Sequence, residues 1–189
     1  SSDLTLFPSI LPELFSTVRK SINVPLTIKI RLGWDAESIN ALEIIHIAKE
    51  EGIEFVALHG RTRAQQYTGH ANWELIEEFA KKSPLDLIGN GDLHTDKLIK
   101  ERLSITKCPA LMLGRGPLRN PFLFLEAYKT PEDNIEFTSI DHYEVLEKLV
   151  DYSRPYAYND HNRLISIRKH LIWMAASFDK ISTFREAVF

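Results

Sequence analysis

The sequence predicts an α/β fold: a partial (β/α)8 barrel followed by a small α-helical domain. Three observations predict it. Four short apolar runs recur about 25–30 residues apart, joined by amphipathic segments of helical period. Polar, glycine-containing residues follow each run, which is where parallel βα architectures keep their functional groups. Beyond Pro121 the strand signal stops and helical patterns continue.

The elements follow in order. Pro12–Ser21 is helical. Leu26–Arg31, the first apolar run, reads as a buried strand. Ala36–Glu51 is a helix with Ile39, Leu42, Ile45, His46 and Ala48 on its inner face, stopped by Gly52. Phe55–His59 is the second strand and Trp73–Lys82 the next helix. Leu85–Asn90 is the third strand, Thr95–Leu103 a helix, and Ala110–Gly114 the fourth strand. Alternation of this kind argues for parallel strands joined by helical crossovers. These units fill residues 1–125 as half of a barrel. Residues 126–138, polar and turn-rich from Tyr128, read as a linker. In 139–189, Asp141–Tyr152 and Asn162–Phe178 are helical, with Leu164, Ile167, Leu171, Ala175 and Phe178 on one stripe.

Composition narrows the function. The 189 residues are 44% hydrophobic and 26% charged, ordinary for a folded domain. A complete barrel usually needs about 250 residues. The formal net charge is −3, which does not announce nucleic-acid binding, although residues 1–150 carry −5 and 151–189 carry +2. Cys108 is the only cysteine, so no intrachain disulfide forms and a reducing cytoplasm is expected. No run approaches the roughly 18–20 apolar residues of a membrane span. The first residues lack a secretion signal and an initiator Met, so the chain is expected to be a piece of something longer.

The strand ends carry the chemistry. Lys29 alternates with Ile28 and Ile30. It either turns an ammonium into a barrel lumen, where an anionic or electron-rich ligand would compensate it, or reaches solvent. His59 is either a structural imidazole or a hydrogen-bond donor to a ligand. The residues after it, with Arg61, Arg63, Gln66 and Tyr67, fit an anionic or base-containing ligand. Gly89-Asn90-Gly91-Asp92 and Gly114-Arg115-Gly116 are consecutive glycine loops opening toward helices. Each alone is an ordinary turn; together they match a barrel phosphate site.

These segments resemble the tRNA dihydrouridine synthase family. The resemblance rests on Thr27–Asp35, Leu58–Arg63 with Gln66–Gly69 and Ala71–Trp73, Ile88–Asp92, Met112–Gly116, Asn120–Phe122, and more weakly Arg168–Leu171. It implies strands five to eight of an FMN-binding TIM barrel. It implies that Lys29 meets the N1/O2 edge of the flavin, that His59 faces the flavin, and that Asn90, Gly91, Asp92, Gly114 and Arg115 hold its phosphate. Arg61, Arg63, Gln66 and Tyr67 would lie on the loop facing the substrate uridine, and the helical tail would grip tRNA. The implied reaction moves a hydride from FMN to uridine C6 while a cysteine protonates C5, with NADPH as the reductant. That cysteine belongs to a segment preceding the Lys29 strand, and no cysteine precedes Lys29 here. The chain alone is therefore expected to lack the catalytic acid. Its open strand edges predict a companion first half-barrel or self-association. Two other readings stand beside this one: another FMN-barrel oxidoreductase acting on a free pyrimidine, and a non-catalytic RNA-binding fragment.

Overall fold

Each apolar run becomes a strand and each amphipathic spacer yields a helix. The computed structural model describes residues 7–130, 132–133, 136–156 and 159–175. In chain order it runs α1 (Leu11–Ser21), β1 (Ile28–Arg31), α2 (Ala41–Glu50), β2 (Phe55–His59), α3 (Trp73–Lys82), β3 (Asp86–Asn90), α4 (Asp96–Ile105), β4 (Ala110–Met112), α5 (Gly116–Arg119), α6 (Leu123–Tyr128), α7 (Ser139–Ser153) and α8 (Asp160–Met174). The strands form one sheet in the order β1-β2-β3-β4, every pair parallel. All carboxyl ends therefore lie along one rim. No helix among the described residues is long and apolar enough to cross a membrane.

The chain divides into two compact units. The first holds the described residues up to Leu93 together with Glu101–Leu113. Its core lies between the helices and one sheet face: Leu11 and Phe15 of α1, Ile44, Ile45 and Ala48 of α2, and Ile76 and Phe79 of α3 pack with Val56, Leu58 and Leu87. Strand side chains alternate between faces. The other face therefore presents two cross-strand rows, Lys29-Ala57-Ile88-Ala110 and Arg31-His59-Asn90-Met112.

Helix α2 begins later than the apolar spacing predicts, because a turn competes for residues 35–38. Asp35 Oδ1 accepts from the N–H groups of Glu37 (3.1 Å) and Ser38 (3.0 Å) and from the Ser38 hydroxyl (2.7 Å). Ile39 forms an antiparallel bridge with Gly33 and is exposed. The buried stripe is Ala41, Ile44, Ile45 and Ala48, while His46 faces solvent. Helix α3 has the predicted bounds, with the Asn72 side chain accepting from Leu75 N–H as its cap (3.0 Å).

The second unit holds His94–Lys100 and the described residues from Gly114 onward. Within it α8 packs against α5 and α7. Phe122 stacks on Phe137 at 4.0 Å between centroids and meets His142 edge-on. Thr138 and Asp141 form a reciprocal capping box that starts α7. Helix α6 runs through positions 125 and 126, where the sequence reading ends the barrel half. Of the predicted α8 stripe, Ile167 and Ala175 are buried and Leu164 is exposed. Phe178 lies outside the described residues.

Candidate functional site at the carboxyl ends of the strands

Three predicted residues occupy the polar sheet face. His59 pairs in register with Arg31 on one side and Asn90 on the other, and Lys29 lies one pleat earlier on the same face. Lys29 is exposed overall, yet partial desolvation of its ammonium, and Arg31 beside it, lower its pKa. His59 is buried. Desolvation, then the charges of Lys29, Arg31 and Arg61, hold its pKa down at about 4 against a weaker opposing pull from Asp92. The imidazole is therefore neutral near pH 7. Among the described residues, the Lys29 ammonium makes no ion pair or hydrogen bond. Asn90 uses its side-chain amide inside the sheet, donating to Met112 O (2.7 Å).

The loop after β3 is built against His59. Gly91 has φ +138°, which disfavours any L side chain, and a Cβ there would lie 2.5 Å from the Ala71 Cβ and 3.3 Å from the His59 ring. Asp92 follows in the left-handed region, φ +57°. Its carboxylate takes Arg61 in a fork, 2.7 Å to Nη1 and 3.1 Å to Nη2, and also accepts from Ala71 N–H at 2.7 Å. Burial alone would raise the Asp92 carboxyl; the Ala71 N–H and the Arg61 guanidinium outweigh it and hold the pKa below the usual carboxylate range.

Arg61 is 3% exposed and turned inward. Besides Asp92 it donates to Thr68 O (3.2 Å) and Gly69 O (2.6 Å). The same loop is tied again by Gln65, whose side chain accepts from Thr62 N–H (2.9 Å). Arg63 is half-buried and its N–H reaches Gly33 O (2.9 Å). Gln66 is exposed in a left-handed conformation, φ +50°, and Tyr67 is exposed at the tip.

Two residues outside the predicted set shape this rim. Arg31 donates to Thr62 O (2.8 Å) and Gln66 O (3.0 Å), and its guanidinium carbon lies 5.8 Å from the Tyr67 ring centroid. The signal for it is the strand period, which puts Arg31 on the Lys29 face. Trp73 lies beneath Gly89, where an added Cβ would come within 2.7 Å of its ring, and donates from Nε1 to Gly91 O (3.1 Å). Gly114 and Arg115 follow β4 in the chain and belong to the second unit, where both are exposed and Arg115 precedes α5. A Cβ at Gly114 would meet nothing within 4 Å.

Cys108 lies apart from this rim. It is buried before the start of β4, in contact range of Gly89 from the helix-covered side, and burial pushes its thiol pKa up. A thiol in that state is a packing group.

The rim thus gathers cations, a neutral imidazole and strained loop backbone, with its carboxylate Asp92 already tied to Arg61. That donor set suits a ligand carrying negative charge.

Comparison with known proteins identifies the family. A family model described as dihydrouridine synthase matches residues 2–189. The chain is 32% identical over 190 residues to tRNA-dihydrouridine synthase B of Pasteurella multocida, covering 98% of this chain and 57% of that protein. It is 32% identical over 186 residues to a probable tRNA-dihydrouridine synthase of Rickettsia bellii (93% and 55%). It is 33% identical over 195 residues to probable tRNA-dihydrouridine synthase 1 of Synechocystis (100% and 53%). The chain spans about half the length of the curated relatives it matches. On these grounds the chain belongs to the dihydrouridine synthase family.

Proposed function

We propose that this chain is the cofactor-holding part of a tRNA-dihydrouridine synthase, an FMN-dependent oxidoreductase that uses NADPH to reduce uridine to 5,6-dihydrouridine in tRNA. The observation that carries the reading is the shared face of Lys29, His59 and Asn90, placed side by side by the parallel register.

The residues suit the cofactor. FMN, when bound, supplies the hydride chemistry. Lys29 would balance negative charge on its ring, since its partly desolvated ammonium has no internal counter-ion among the described residues. Neutral His59 would hold the ring by hydrogen bonding without adding a proton of its own near pH 7. Asn90, Gly91 and Asp92, with Gly114 and Arg115 after β4, would hold the phosphate through loop N–H groups and a guanidinium. Arg63, Gln66 and Tyr67 would meet the uridine and its neighbours, with Arg61 fixing their loop. Residues 139–189 would grip the tRNA.

In this reading the four strands are the fifth to eighth of a TIM barrel, residues 1–125 are its half and 126–138 the linker. The open edges at β1 and β4 are covered by the other half-barrel or by a second copy, and the protein works in the cytoplasm. The proton for uridine C5 comes from a cysteine outside this chain, because buried Cys108 has neither the position nor the acidity. General-acid help of that kind is worth roughly 10²–10⁴-fold.

The test is titration of the purified chain with FMN, followed by flavin fluorescence, and with unfractionated tRNA. Both are expected to bind, and Lys29→Ala is expected to weaken FMN about tenfold. Flavin binding without tRNA binding would favour a free-pyrimidine flavoenzyme. RNA binding without flavin would favour a non-catalytic RNA-binding fragment. Either result overturns the proposal.

A further inference from the structure

The Arg61–Asp92 pair joins two loops that the proposed function gives to different ligands. We infer that it couples them: Arg61 is a positioning residue through which the cofactor loop and the substrate loop become ordered together. This inference rests on the function proposed above.

One guanidinium serves both loops. Nε and Nη2 hold Thr68 O and Gly69 O at 3.2 and 2.6 Å, fixing the turn in which Gln66 (φ +50°) and Gly69 (φ +61°) are left-handed. Nη1 and Nη2 hold the two Asp92 oxygens at 2.7 and 3.1 Å, fixing the turn in which Gly91 and Asp92 have positive φ. Asp92 Oδ2 reaches back to Ala71 N–H at 2.7 Å, so the second loop also anchors the end of the first. The guanidinium is buried, with side-chain exposure of 4% against 28% for Asp92. Water therefore replaces these bonds poorly, and a change in one loop is felt at the other.

Backbone that leaves the left-handed region in either loop must lengthen bonds to the shared side chain. A phosphate that fixes the N–H groups of Gly91 and Asp92 therefore also fixes Thr68 and Gly69. Ordering completed by the first ligand is not required again of the second, and by linkage each ligand strengthens the other equally.

The experiment measures the affinity of the full chain for unfractionated tRNA with and without saturating FMN. It is repeated on Arg61→Lys, which keeps a charge but loses the fork, and on Asp92→Asn, which keeps an acceptor for Ala71 N–H but loses the charge. The wild type is expected to bind tRNA about tenfold more tightly with FMN present. The ratio is expected to fall toward one in both variants while each keeps a cooperative thermal transition. A merely structural pair would lower the folded fraction and leave the ratio unchanged, which overturns the inference. So does a wild type that binds both ligands without mutual effect, and so does loss of the thermal transition in both variants. A wild type that fails to bind FMN or tRNA overturns the proposed function, and the inference with it, so the two failures are distinguishable.

Discussion

His59 is held neutral by its neighbours, and that has a thermodynamic consequence. Its folded pKa, about 4, lies below the ordinary 6.5. On acidification the unfolded chain takes up this proton first, so stability falls as pH drops from about 6.5 toward about 4 and this contribution levels off below that. The loss attributable to His59 is at most about 3 kcal/mol. Urea unfolding at about pH 7 and about pH 4.5 is expected to show a smaller pH-dependent loss for His59→Gln than for the wild type; equal losses would contradict the burial argument. At this scale strand alternation made part of the rim legible, putting Lys29 on one sheet face and His59 and Asn90 at strand ends, while Arg31 and Trp73 went unnoticed. It did not show that Arg61 faces inward. Its partner Asp92 is 31 positions away, on a turn in which Asp92 itself has positive φ.

At the scale of elements, helix α3 fixes the direction of the rim loop that precedes it. Its cap is local: Asn72 closes the helix, while its own N–H bonds Gly60 O at 2.6 Å and so ties the helix start to the end of β2. Asn72→Ala should cost about 1 kcal/mol, lowering the melting temperature by about 2–4 °C for a chain of this length. Calorimetry checks it, and an unchanged transition would show that the cap contributes nothing. Elements were legible where the hydrophobic period and a local cap agree, as at Asn72-Trp73. The start of α2 was not, because Asp35 and Ser38 offer the backbone a rival turn within an otherwise helical pattern. The short helices α5 and α6 are too brief to show a period; α5 contains Pro117 and α6 starts two residues after Pro121.

At the scale of the whole molecule, the sheet has two edge strands, β1 and β4, and among the described residues no strand pairs with the outer edge of either. Helix α1 adds an apolar line: Leu14 and Val18 are exposed a turn apart, and Ile10 and Phe7 continue it. Uncovered edges and apolar lines of this kind associate. Sedimentation of the purified chain is expected to show mass rising with concentration, and an invariant monomer would show that these surfaces are self-protected. The parallel four-stranded architecture was legible because crossover spacing and buried apolar runs repeat along the chain. The units part within α4, residues 94–100 falling with the second and 101–113 with the first, a boundary that no hydrophobic period marks.

Trp73 gives this protein a built-in optical probe. Its indole sits against Gly89, bonds Gly91 O and lies under the Arg102 guanidinium, 4.4 Å from the ring centroid. Its excited state therefore senses both a nearby cation and the backbone that the proposed phosphate would touch. A change in intrinsic emission on adding a ligand, lost in Trp73→Phe, would report movement of that loop without any label.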